Sequence, residues 1–137
     1  MKTTIQPQSL WDPHPRYSQG LLVEFGKILF IAGQTAVDSA GNIIGLGDIE
    51  AQTQVVLQNI KAIVEGAGGS SKDLVATTSY VTGTEHLSGF YKARREFFKE
   101  ALPTSTTVVV KSLVRSDYLV EIEAIAALGE QVDETAR

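Results

Sequence analysis

The stretch Leu119–Leu128 reads Leu-Val-Glu-Ile-Glu-Ala-Ile-Ala-Ala-Leu. A period of two over ten residues fits a strand and no helix. Val120, Ile122, Ala124, Ala126 and Leu128 share one face, and Leu119, Glu121, Glu123, Ile125 and Ala127 share the other. Residues two apart on a strand lie about 6.6 Å apart, so Glu121 and Glu123 are side-by-side neighbours. Their face continues as Ile125 and Ala127, which predicts partial burial. A carboxylate at the margin of an apolar face is costly unless paired, and burial favours its protonated form. That makes it a candidate proton donor or acceptor. The plainer reading is an edge strand carrying two solvated carboxylates.

The rest of the chain supplies what such a strand needs around it. Residues 1–17 hold Pro7, Pro13, Pro15 and Trp11. This proline density opposes helix and central strand alike, so a short strand near Thr3–Gln6 leads into an extended loop that Trp11 packs onto the body. Leu21–Phe25 and Ile28–Ala32 flank Gly26-Lys27 and read as a tight hairpin. Gly33 follows, marking either a bulge or a close backbone approach, the bulge being the commoner meaning of a strand glycine. Asp38–Asn42 is a turn by composition, and Ile43-Ile44 a short return strand.

Asp48 caps a helix of about 18 residues that buries one stripe, with Glu50 complementing its dipole and Gly66, Gly68 and Gly69 ending it. Leu74–Val81 is β-branched and alternating, a strand. Thr84 caps a second helix running to about Ala101, apolar through Leu87, Phe90, Tyr91, Phe97 and Phe98. Its adjacent arginines, Arg94 and Arg95, read as a solvated face ahead of an anion site. Pro103 breaks it, Thr104–Val110 is a strand, and Gly129–Arg137 is a polar tail expected to fray.

Few, long helices among short strands belong on one face of a mixed sheet, an α+β arrangement. The other face, apolar through part of Thr107–Val110 and half of the last strand, then needs a cover, which points to self-association. A length of 137 residues suits one domain spanning 1–137. Net charge is −4 with no basic run among aromatics, so nucleic acid is not an expected partner. Apolar runs fall short of the roughly 18 residues a membrane span needs. The first residues carry no apolar secretion core, so a cytoplasmic location is expected. Without cysteine there is no thiolate catalysis and no cysteine-held zinc.

Several segments together resemble the Rid family, also called YjgF/YER057c/UK114. They are Tyr17-Ser18-Gln19-Gly20, Ile31-Ala32-Gly33-Gln34, Gly47–Thr53, Asn59-Ile60-Lys61-Ala62-Ile63 and Val120–Ala126, spread over roughly residues 15–128. The resemblance implies a chorismate-mutase-like fold, a mixed six-stranded sheet with two helices on one face. It also implies a homotrimer with a cleft at each subunit boundary. The implied activity is hydrolysis of a reactive enamine or imine to a ketone and ammonia, without metal or organic cofactor. In active members a strand-five arginine clamps the substrate carboxylate, while a tyrosine of the early loop and a glutamate of the last strand handle protons or water. The matching positions are Tyr17 and Glu121, and Gly33 matches the backbone that approaches the ligand.

Two positions depart from that pattern. Where the family reads Pro-x-Arg-Ser/Thr, this chain reads Pro103-Thr104-Ser105-Thr106. A serine hydroxyl cannot make the bidentate charge-assisted pair of a guanidinium. Losing such a pair in a shielded cleft typically costs a few kcal/mol, about two or more decades in rate. Tyr91 stands where active members carry a small polar residue. Arg115, before the last strand, and Arg16 are candidate replacement cations, each more ordinarily a surface charge. His14 is a further titratable group of the loop. Glu121 and Tyr17 are thus the candidate catalytic residues, with Gly33, Ser105, Thr107, Tyr91 and Arg115 as candidate substrate contacts. Two functions compete: a deaminase with altered substrate choice, or a non-catalytic small-molecule-binding trimer. Paired carboxylates without an aromatic sugar groove make a poor glycosidase, and neither histidine accompanies a nucleophile motif.

Overall fold

Six strands and two long helices follow one another in the computed structural model, which describes residues 2–129. The polar tail predicted from the sequence lies outside those residues except for Gly129. The strands are β1 (Lys2–Ile5), β2 (Gly20–Val23), β3 (Lys27–Gln34), β4 (Leu74–Val81), β5 (Thr104–Val109) and β6 (Val120–Leu128), and the helices are α1 (Ile49–Gly66) and α2 (Leu87–Phe98). Hydrogen bonding joins β1 to β2 as one pair, and the other four strands run in the order β3-β6-β4-β5. A mixed sheet is therefore present, but of four strands rather than the expected six, because β1 and β2 pair only with each other; β6 is an inner strand antiparallel to both neighbours, and β5 is parallel to β4. The predicted tight hairpin at Gly26-Lys27 does not form. β2 pairs with β1, Lys27 pairs with Leu128, and Gly26 N–H donates to the Leu128 carbonyl at 2.9 Å, which commits the joint to β6.

Both faces of β6 behave as its pattern demands. Val120, Ile122, Ala124 and Ala126 are buried against the helices. On the other face, cross-strand neighbours are Tyr80 beside Glu121, Thr78 beside Glu123 and Phe30 beside Ile125. No helix covers that face, and Phe30 is 71% exposed upon it. Exposed Ile28 and Val108 extend the apolar surface.

Helix α1 begins where Asp48 accepts from the Ala51 amide at 3.1 Å and ends at Ala67, with Gly68 at φ +89° just beyond. Val56, Leu57, Ile60 and Val64 lie fully inside, each stabilising the fold by about 1–3 kcal/mol through burial. Gln52 is as buried as they are. It donates to the carbonyls of Gly45 and Asp117 at 3.1 and 3.0 Å and accepts from the Leu119 amide at 2.9 Å, stapling two loops where β6 begins.

Helix α2 is shorter than the sequence predicts. Residues Thr84–His86 form a 3-10 turn capped by Gly83, so Thr84 is not a helix cap. The far end stops at Phe98 because Lys99 takes φ 52°. Trp11, expected to pack the early loop down, is 62% exposed, and Pro13 is the buried residue of that loop.

Candidate active site

The early loop is tied to β5. Ser18 N–H donates to the Pro103 carbonyl at 3.1 Å and its hydroxyl to the Leu102 carbonyl at 2.8 Å. That brings half-buried Tyr17 beside the start of the strand. A cavity of about 300 Å³ results, lined by Trp11, Arg16, Tyr17, Tyr91, Arg94, Ser105 and Thr107. The Trp11 and Tyr17 rings stand 6.4 Å apart. Parallel pairing sets Ser105 beside Thr77 and Thr107 beside Ser79. Thr77 and Ser79 are buried under the helices, so all four point to the helix side of the sheet.

Glu121 lies on the other side. It is half-buried on the open face, and its carboxylate makes no hydrogen bond or ion pair among the described residues. Its neighbour Glu123 is engaged: Tyr80 Oη donates to Glu123 Oε1 at 2.8 Å, and this bond raises the Tyr80 pKa above its ordinary value. Gly33 sits against Glu121. The β3–β6 register slips between Ile31 and Gln34, and a Cβ on Gly33 would lie 2.9 Å from Glu121 Cδ and collide with its carboxylate. The bulge expected of this strand glycine is present, and the side chain that comes close to its backbone is the chain's own Glu121.

Six of the seven residues singled out from sequence thus form two groups within one chain. Tyr17, Tyr91, Ser105 and Thr107 share the helix-side cavity, while Gly33 and Glu121 meet on the open face. Arg115 belongs to neither. It donates to the Gly41 carbonyl at 3.3 Å, pairs with Asp117 at 3.5 Å and lies over the Tyr118 ring. Exposed Arg16 does line the cavity, and exposed His14 lies outside it, its amide held by Asp12 at 2.9 Å.

Arg94 corrects the sequence reading most. Expected on a solvated face, it is 5% exposed. Nη1 donates to the Arg16 carbonyl at 2.7 Å, Nη2 to Thr77 Oγ1 at 3.4 Å, and the guanidinium carbon lies 4.7 Å from the Phe98 ring centre. Burial pulls its pKa well below the usual guanidinium value, to about 10, partly offset by Tyr91, so it stays cationic at neutral pH. The signal was available: Arg94 lies four residues from both Phe90 and Phe98, in the middle of the buried stripe of α2. Its charge outweighed its position. Arg95, next in sequence, is exposed as expected. Among the described residues, no group of His, Cys, Asp and Glu side chains could hold a metal ion, and no helix is long and apolar enough to cross a membrane.

The sequence profile of the endoribonuclease L-PSP family matches residues 8–128. A RutC family protein of Pyrococcus horikoshii is 40% identical over 126 residues, 92% of this chain and 98% of that one. Among solved structures, the Rid-family protein YyfB of Yersinia pestis, described as of unknown function, superposes with a TM-score of 0.85 at 31% identity, covering 93% of this chain and 98% of its own. A YjgF/YER057c/UK114 member from Mycobacterium tuberculosis gives 0.66 at 27% identity, with 93% and 100% covered. Agreement in both sequence and architecture over nearly the whole length means that this chain belongs to the Rid family, YjgF/YER057c/UK114.

Proposed function

We propose that this protein is a Rid-type hydrolytic deaminase, acting on a small imine or enamine in clefts completed between three copies of the chain. Family membership supports small-molecule processing; the finer reading rests on one observation. The matched proton-handling residues, Tyr17 and Glu121, lie on opposite sides of the same sheet. They meet only if the open face of one copy closes over the helix-side cavity of another, and the uncovered apolar face around Phe30 is the surface for that contact.

In the reaction, the Glu121 carboxylate takes a proton from water as its oxygen attacks the imine carbon. Glu121 then passes that proton to the carbinolamine nitrogen, with Tyr17 as hydroxyl relay, and takes up the carbinol hydroxyl proton as the C–N bond breaks, giving a carbonyl compound and ammonia, which carries the last proton away. No redox partner is required. General-base assistance of this kind contributes about 10²–10⁴-fold, so Glu121→Gln should lower ammonia release from freshly generated imines by about that factor while leaving fold and assembly intact. Undiminished release in that variant excludes the mechanism.

Ser105 in place of a strand-five arginine favours a second reading, a trimer that binds its metabolite without turnover. Saturable binding with no ammonia from any imine tested would select it. The word endoribonuclease in the family profile's description finds little support here. Net charge is −4, and the cavity is sized for a single small molecule rather than a strand.

A further inference from the structure

We propose that Arg94 is the anion-recognising residue of the cleft, reaching from α2 to hold the carboxylate of a small, flat ligand beside Ser105 and Thr107. This rests on the cavity being a ligand site, as proposed above, but not on hydrolysis taking place there.

The first argument is charge. A guanidinium carries five N–H donors, and Arg94 uses two of them, both toward neutral oxygens, one at the long distance of 3.4 Å. No carboxylate among the described residues pairs with it. Burying a cation without a counterion is costly, and a structural arginine is ordinarily paired. A buried guanidinium that lines a cavity with no carboxylate beside it among the described residues is suited to an anionic ligand.

The second argument is shape. About 300 Å³ matches a ligand of one ring or a short conjugated chain. The lining combines cations and hydroxyls, from Arg94, Arg16, Ser105 and Thr107, with the aromatic rings of Trp11, Tyr17 and Tyr91. A carboxylate on a planar, unsaturated body satisfies both.

The third is the exchange of positions. Register sets Ser105 beside Thr77, and Thr77 is what Arg94 binds. A long cation at 105 would place two guanidiniums in this one small space and repel Arg94. A short hydroxyl at 105 leaves room for the helix-borne cation, so the two residues form one solution to one task.

The test uses full-length protein in its native assembly and three probes: benzoate, benzamide and acetate. By calorimetry, benzoate should bind about tenfold or more tightly than benzamide, the size of one charge-assisted pair. Acetate, lacking a ring, should bind more weakly than benzoate. Arg94→Gln should remove the preference for benzoate and leave benzamide affinity unchanged; Arg94→Lys, which keeps charge and loses the fork, should fall between. Equal binding of benzoate and benzamide by the wild type overturns the proposal, as does unchanged benzoate affinity in a folded Arg94→Gln protein. If both variants melt early, a crystal of the wild type grown with benzoate decides. A carboxylate within hydrogen-bond distance of Arg94 supports the proposal. Benzoate elsewhere, with Arg94 paired to a carboxylate of a neighbouring copy, overturns it. Ammonia release in the same preparations separates the two readings. Arg94-dependent binding without turnover defeats only the deaminase, and turnover insensitive to Arg94 defeats only the clamp.

Discussion

The two sides of the sheet solve the placement of charge differently. On the helix side, Arg94 is held from three directions, by the Arg16 carbonyl, the Thr77 hydroxyl and the Phe98 ring, and its surroundings are walled in one chain. On the open side, Glu121 lies against the bare backbone of Gly33 and beside Tyr80, on a face that Phe30 leaves apolar and exposed. One region is a cavity whose buried cation has no anion among the described residues; the other presents an anion with no enclosure. Fixing a charge in position needs fixed dipoles around it. By that measure the helix side holds its charge in place, and the open side does not within one chain.

The largest expected effect tests that asymmetry. Phe30→Glu adds a charge to the open face at a position so exposed that the single chain's stability should change by less than about 0.5 kcal/mol. It should nevertheless prevent assembly, seen as a fall in sedimenting mass, and abolish turnover completely. A variant that remains assembled and active would show that the open face is not the contact surface.

Next is Gln52→Leu, which removes the staple at the start of the Glu121 strand and leaves the Gly45 and Asp117 carbonyls and the Leu119 amide without it. A loss of about 3 kcal/mol in urea unfolding is expected. A loss below 1 kcal/mol would mean that water replaces the amide.

The smallest effect, and the sharpest, comes from Gly33→Ala. The added methyl meets the flexible end of Glu121, so stability should hold within about 1 kcal/mol. Displacing the carboxylate should cost about tenfold in turnover, with benzoate binding untouched. Parallel losses in both functions would contradict a division of labour between the faces.

The chain's local order was decided by local chemistry. The period of two in Leu119–Leu128, the Asp48 cap, the helical stripe of α1 and the break at Pro103 each act within a few residues, so β6, α1 and the start of β5 could be read directly, and the family segments placed Tyr17 and Glu121. What a residue faces depends on partners far along the chain, and there the reading failed for physical reasons. Gly26-Lys27 looks like a hairpin joint, yet the Leu128 carbonyl takes the Gly26 amide. Arg94 looks solvated by its charge, yet its helical position turns it inward, where Thr77 and the Arg16 backbone receive it. Sequence alone located the strands and the helices, though not the ends of α2, and pointed to the family. Only tertiary packing decided that the acid and the phenol stand on opposite sides of one sheet, because the direction of a side chain is fixed by register and by what the helices cover.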